Sequence, residues 1–315
     1  MSSSALIPDN LKEQIGRDHG ELTTLAYNSM SVKDDVTYLP DVKNEIRVTT
    51  LKINKIVKPF TTTFSATEGA VEFKPRTVGV KVGKAELSFA PEEYRQTYLG
   101  QYQTKGVARS PEDLPFYKYL AEGIFAQFGE EINDETAYFG NYNPAGTSAV
   151  HVANGYGKHI AGMITSGDIV PNAIGALNAT SAQDQMTALW RSIPEKFKKA
   201  TLKMTAYMSV GSYEMIQDSL DKKGYNVGRG EEQLGKKTLR GTDNILEVKP
   251  VTWMAGSNRV FITPRANILM LADAIEQDLS DFNLVQNMWT CDIGLAAAVG
   301  FDFAYGGLIW SNEVA

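Results

Sequence analysis

The sequence predicts an α+β fold, and three observations carry that reading. Apolar and polar residues alternate along Val71–Phe89, the period of a half-buried strand. Tyr117, Leu120, Ile124, Phe128 and Ile132 recur at helical spacing as one apolar stripe. Beyond them, strand-like and helix-like stretches succeed one another irregularly, with no internal repeat and no low-complexity segment.

Composition bounds the class before any element is placed. The chain has 315 residues, 43% apolar and 22% charged, the proportions of an ordinary soluble globular protein. A net charge of −6 and the lack of any dominant Lys/Arg block argue against a strong sequence-independent nucleic-acid-binding face. One cysteine, Cys291, excludes an intrachain disulfide and fits a reducing compartment. Met1–Asp9 lacks the basic region and apolar run of a signal peptide. The longest apolar stretch, Gly294 to Trp310, contains Asp302 and is too short and interrupted to span a bilayer. The expectation is a soluble, cytoplasmically made protein with no membrane partner.

In chain order, Leu11 to Met30 permits one or two short helices, weakened by Gly16 and Gly20. Thr37–Pro40 breaks the pattern, and Ile46–Leu51 alternates into the next segment. Residues 1–51 thus read as an extended lead-in without a core. Residues 52–98 read as a long two-stranded hairpin. Ile53–Phe64 is β-rich and basic, Thr67–Ala70 makes the turn, and Val71–Phe89 returns. Pro75, Gly79 and Gly83 suit an edge or an arm better than a central strand. An isolated ribbon is marginal in water. Its apolar side must be covered, by the rest of this chain or by a second copy.

Ser110 then offers an N-cap, Pro111 the first helical position, and Glu112 and Asp113 favourable charges on the helix dipole. With Gly140–Pro144 as the stop, a helix from Pro111 to Phe139 would be about 40 Å long at ~1.5 Å per residue, a spine. Thr147 to Pro171 reads as loop with one brief strand. Thr180–Asp184 caps a second helix carrying Met186, Leu189, Trp190 and Ile193. Leu202–Met208 alternates as a strand, Ser212 to Leu220 forms a third helix, and Gly224 to Thr242 is a polar loop. Ile245–Val251 and Val260–Pro264 are strands, Asn267 to Ala274 a short helix, and Phe282 through Val314 is strand-rich.

No catalytic, cofactor or metal site emerges. His19, His151 and His159 lie in unrelated surroundings without a second ligand at metal spacing, as surface or loop histidines do. Gly230–Lys237 imitates a phosphate loop, but Lys237 stands where a hydroxyl must reach magnesium, and two glutamates would repel phosphate. A solvated loop is the better reading. Glu130, Glu131, Asp134 and Glu135 cluster near the end of the spine, as a solvated acidic face or as a dock for something basic. Lys52, Lys55, Lys58, Lys74, Arg76, Lys81 and Lys84 make the hairpin basic, so a ribbon-to-spine contact between copies would gain register from charge.

The ordered set of lead-in arm, hairpin, capped spine helix, mixed α/β region and strand-rich end resembles the major capsid protein of tailed double-stranded DNA bacteriophages. Local runs carry the likeness further: Met186–Pro194, Lys203–Ser209 and Tyr213–Leu220 resemble the helix–strand–helix of that family's axial domain. Val285–Thr290 followed by Gly294–Phe301 resembles its last peripheral-domain strand returning into the axial domain. The resemblance implies an N-arm at 1–51, an E-loop hairpin at 52–98 and a peripheral domain with the spine at 99–144. It further implies an axial domain at 145–269, peripheral return strands at 270–300 and the final axial strand at 301–315. It implies assembly in the bacterial host cytoplasm into pentamers and hexamers of an icosahedral virion head. Each E-loop would lie over a neighbouring subunit. The implied partners are a separate scaffolding protein, a portal, decoration proteins and packaged double-stranded DNA bound without sequence specificity.

Some members of that family join subunits by a lysine–asparagine isopeptide bond promoted by a glutamate. Asn287 resembles the asparagine, with Lys74, Lys81 or Lys84 as donors, but the position expected for the glutamate is Gly294, and Asp292 is a poor stand-in. The bond is therefore not expected. The alternatives are an encapsulin-like shell enclosing cargo enzymes and, from another class, a soluble enzyme with a loop-borne site.

Overall fold

The computed structural model describes residues 29–53, 56–60, 62–63, 67, 69, 71–90, 116–199, 201–222, 238–239, 241–242, 245–273, 282–287 and 290–313. The Leu11 to Met30 helices (up to residue 28), the Ser110 cap and the Gly230–Lys237 loop lie outside them. Two larger sheets and a separate two-stranded ribbon organise the rest.

The larger sheet is built on one long strand near the C-terminus, β10 (Cys291–Phe303). On one side β4 (Lys81–Phe89) pairs antiparallel with it from Cys291 to Val299. On the other, β9 (Phe282–Gln286) takes Cys291 to Leu295 and β8 (Ile268–Ala272) takes Val299 to Phe303. A short early strand, β1 (Thr37–Leu39), adds in parallel to the outside of β8. The smaller sheet runs β11 (Trp310–Ser311), β7 (Phe261–Pro264), β5 (Met204–Ser209), β6 (Leu246–Val251).

Helices close both sheets. The spine, α2 (Phe116–Glu131), continues into a π-helical turn at Ile132–Thr136 and buries Phe125, Phe128 and Ile132. These join Tyr156, Trp253, Phe261, Phe301 and Phe303 in one aromatic-rich core. Tyr156 packs edge-on against Phe301 at 5.5 Å, a geometry that adds to the area it buries. A second core lies under the smaller sheet. There α4 (Ala182–Ser192) contributes Met186, Leu189 and Trp190, and α5 (Val210–Lys222) contributes Ile216 and Leu220. These helices and the strands β5, β6 and β7 lie close to where the sequence places them.

The π-turn aims Asn133 inward, where its Oδ1 accepts from the Val32 N–H at 3.0 Å at the start of α1 (Val32–Asp35). Asp35 sits deeper. Its carboxylate accepts from the Trp253 indole N–H at 2.7 Å and from Lys249 at 2.6 Å, and the Tyr207 hydroxyl donates to its backbone oxygen at 3.0 Å. Burial and the Asp35 charge push the Tyr207 hydroxyl far above its ordinary pKa, so it remains a donor. Residues 30–42 are therefore sewn into the body.

Three expectations are corrected. The ribbon is not Ile53–Phe64 against Val71–Phe89. It pairs β2 (Glu45–Ile53) with β3 (Val71–Gly79), whereas residues 81–89 belong to the body as β4. The alternation along 71–89 is continuous because one strand path serves two sheets, and local pattern cannot mark where it changes partners. Thr147 to Pro171 contains a helix, α3 (Tyr156–Thr165), burying Tyr156, Ile160 and Met163. Its glycines hid it. A Cβ on Gly155 would lie 2.5 Å from the Thr136 oxygen, so close packing on the spine end demands glycine there. Asn267 to Ala274 is not a helix. Ile268–Ala272 is strand β8, buried on both faces, and such a run has no period that separates strand from helix.

Replacing Asp35 by Ala strands the indole N–H of Trp253. The expected cost is about 2–3 kcal/mol, most of it from that buried donor rather than from Lys249, whose side chain is 37% exposed. Urea unfolding of the full chain, read as a lowered midpoint, checks this.

Candidate intersubunit surface

The β2–β3 ribbon has two unlike faces and two unlike ends. Leu51 opposes Phe73 and Ile53 opposes Val71, so one face of the outer half is apolar. Thr50 opposes Lys74 and Lys52 opposes Glu72 on the other face. Leu51, Val71 and Phe73 are 50%, 53% and 65% exposed, and beyond them Val57 and Phe60 are exposed at 94% and 92%. A contiguous apolar patch on a projecting ribbon has no cover among the described residues of its own chain.

The root is the opposite. Ile46 and Val48 of β2 and Val78 of β3 pack with Val80, Leu269, Leu271 and Ala298 on the outer face of the larger sheet. There β3 passes so near β10 that a Cβ on Gly300 would lie 2.5 Å from the Gly79 oxygen. Arg76 ion-pairs with the buried Asp302 of β10, and His159 Nδ1 stands 3.4 Å from the same carboxylate oxygen. A buried root and a bare tip make the ribbon an arm.

The sequence-derived candidates divide accordingly. Lys81 and Lys84 are removed from the arm. Both lie on β4, Lys81 over the Tyr142 ring at 4.8 Å and Lys84 2.8 Å from Glu86. Lys52, Lys74 and Arg76 remain on the ribbon strands, and the Lys58 position lies beyond β2. Glu130, Glu131, Asp134 and Glu135 are exposed at the end of the spine. His151 packs beside the Asn141 carbonyl at 3.2 Å in an exposed turn. His159 was read as a lone histidine and is not one. Its carboxylate neighbour comes from a distant strand, so spacing along the chain carries no trace of the pair.

Asn287 lies in the turn between β9 and β10, where its amide nitrogen donates to Asp292. Asp292 also accepts from the Ser88 hydroxyl at 2.6 Å. Gly294, on β10, opposes Glu86, whose side chain is 69% exposed and paired with Lys84. Among the described residues the carboxylate beside Asn287 is that of Asp292, already engaged by the Asn287 amide and the Ser88 hydroxyl, whereas this chemistry needs a base free to take a lysine proton within hydrogen-bond reach. Among the described residues no three His, Cys, Asp or Glu side chains converge as a metal site. Two larger grooves of about 490 Å³, one beside Trp310 and one beside Tyr138, hold no nucleophile–base pair.

No protein-family model matches the chain, and no curated protein sequence matches it significantly. Solved structures match over almost its whole length. The capsid of Myoviridae phage XM1 aligns with a TM-score of 0.56 at 12% identity, covering 91% of this chain and 92% of that one. The satellite phage P4 procapsid aligns at 0.55 and 11% identity, covering 94% and 91%. The virus-like particle from Pyrococcus furiosus aligns at 0.51 and 11%, covering 93% and 98%. The fold is thus the α+β fold of tailed-phage capsid subunits, which that archaeal particle shares.

The two ends of the ribbon respond differently to substitution. Phe73→Ser leaves the unfolding free energy of the dissociated chain, read by urea denaturation, within about 0.5 kcal/mol of wild type, because its ring is mostly in water. Val78→Ser, 1% exposed at the root, lowers it by about 2–3 kcal/mol.

Proposed function

We propose that this protein is the major capsid protein of a tailed bacteriophage, closing an icosahedral head of pentamers and hexamers around double-stranded DNA. One observation carries the reading: the ribbon has a fixed root and an uncovered apolar tip, which is what a subunit that completes itself on a neighbour requires. The whole-chain likeness to phage capsid subunits supports it. On this reading β2–β3 is the E-loop and lies over the adjacent copy. The spine α2 with the larger sheet forms the peripheral domain, and the smaller sheet with α4 and α5 forms the axial domain. The ribbon carries Arg47, Lys52, Lys55, Lys58, Lys74 and Arg76 against Glu45, Glu68 and Glu72. A basic arm fits the exposed carboxylates at the spine end of its neighbour, a contact that sets register more than affinity. Scaffolding, portal and decoration proteins complete the head.

A shell around cargo enzymes is the second reading, favoured by the likeness to the Pyrococcus furiosus particle. The contents of purified particles separate the two. Nuclease-protected double-stranded DNA supports the phage head, and protein cargo without DNA supports the alternative.

Electron microscopy of the purified protein is expected to show closed shells. Leu51→Asp with Phe73→Asp raises the concentration needed for assembly by roughly tenfold or more, since each charge would be buried at the contact. Monodisperse single chains at every concentration, with or without a scaffold, would remove the proposal. Mature particles boiled in detergent are expected to run as one band at the monomer mass, because the Asp292 carboxylate beside Asn287 is already taken up by the Asn287 amide and the Ser88 hydroxyl.

A further inference from the structure

The arm leaves the body at one place, and that place carries a charge cluster. Asp302, only 4% exposed, lies on β10 under the root. Its Oδ1 takes three neighbours. Arg76 Nη2 of β3 donates to it, the Phe303 backbone N–H donates at 2.7 Å, and His159 Nδ1 of α3 stands at 3.4 Å. The other guanidinium nitrogen, Nη1, reaches Met163 Sδ of α3 at 3.6 Å, so Arg76 bridges strand and helix. The groups facing Asp302 are Arg76 from β3 and His159 and Tyr156 from α3. The adjacent β8, Ile268–Ala272, supplies none.

This is one carboxylate between two bases, and only one of them carries a permanent charge. With His159 neutral, Asp302 and Arg76 balance. With His159 protonated, two cations share one buried anion, and the guanidinium loses part of its partner. We propose that Arg76, Asp302 and His159 form an acid-released latch, in which protonation of His159 loosens Arg76 and frees the ribbon to swing about its root. The latch belongs to the single chain and holds whether or not that chain builds a shell.

The charge environment gives the sign. Burial holds the His159 ring below its ordinary pKa; the Asp302 charge opposes this, and Arg76 adds to the lowering. The latched state therefore resists a proton that an opened, solvated His159 accepts at about pH 6.5. Its stability is full above that pH and falls as the pH drops below it. Burial raises the Asp302 carboxyl above its usual value against the pull of His159 and Arg76, so its own titration runs in the opposite sense. Substituting His159 isolates the first effect from the second.

Hydrogen exchange of the full, unassembled chain tests this, with rates corrected for the intrinsic pH dependence of exchange and β5 amides as the internal reference. In wild type, protection across 45–53 and 71–79 should fall between about pH 7.5 and about pH 5.5. The loss should reach several-fold, bounded by roughly tenfold per pH unit for one proton. His159→Gln should abolish the pH response. Arg76→Met should leave the ribbon weakly protected at both pH values. A ribbon equally protected at both pH values in wild type, or an unchanged response in His159→Gln, overturns the latch. So does full protection in Arg76→Met at neutral pH.

Discussion

The whole architecture depends on the pairing of β10. Its thirteen residues, Cys291–Phe303, hold β4 along one edge and β9 and β8 in succession along the other. Ile293, Leu295, Val299, Phe301 and Phe303 face the spine and α3 as part of the main core. Ala298, on the opposite face, meets the ribbon root. A strand this long satisfies backbone groups of three neighbours at once, joining the two strands that precede it, β8 and β9, to β4 from some two hundred residues earlier.

That arrangement explains why the arm can project without the body loosening. β3 and β4 are consecutive, separated by Val80, whose N–H donates to the Asn44 oxygen at 2.9 Å. The chain passes from ribbon to body in one step, and the step is buried by Val78, Val80, Leu269 and Leu271. Beyond it, among the described residues, the ribbon has its own ladder, which is marginal in water unless something covers its apolar face. The fold therefore separates a body with its own cores from an appendage whose outer half keeps its apolar side chains exposed. For a shell subunit this division is useful, since the body can fold before the arm finds its neighbour.

Polar groups inside the body do a related task. Asn133 and Asp35 tie the early segment to the spine and to the smaller sheet, and Arg76 and Asp302 tie the ribbon to the larger one. The first two are buried, the third is partly so, and each links elements remote in sequence. Hydrophobic contact is non-directional and would tolerate several placements of a short helix or an arm. Hydrogen bonds of this kind select one.

Much of this was legible in the chain itself. The stripe from Tyr117 to Ile132 gave the spine and the spacing of Met186, Leu189 and Trp190 gave α4, because each presents apolar residues at helical period; Met204–Ser209 gave β5, buried on both faces, because apolar and polar residues still alternate along Leu202–Met208. β8 was misread because burial on both faces removes the period. α3 was missed because Gly155 and Gly157 answer to close packing on the segment that follows the spine rather than to local preference. A two-stranded hairpin is legible in the chain but its register is not, since residues 71–89 alternate alike in both sheets. His159 and Asp302 gave no sign of meeting. Local physics, the alternation of wet and dry positions and the caps, determined by sequence alone that strands, helices and an under-covered basic hairpin exist. Only the tertiary structure decided which strands pair and which charges share a site, because those depend on contacts between residues the chain order keeps apart.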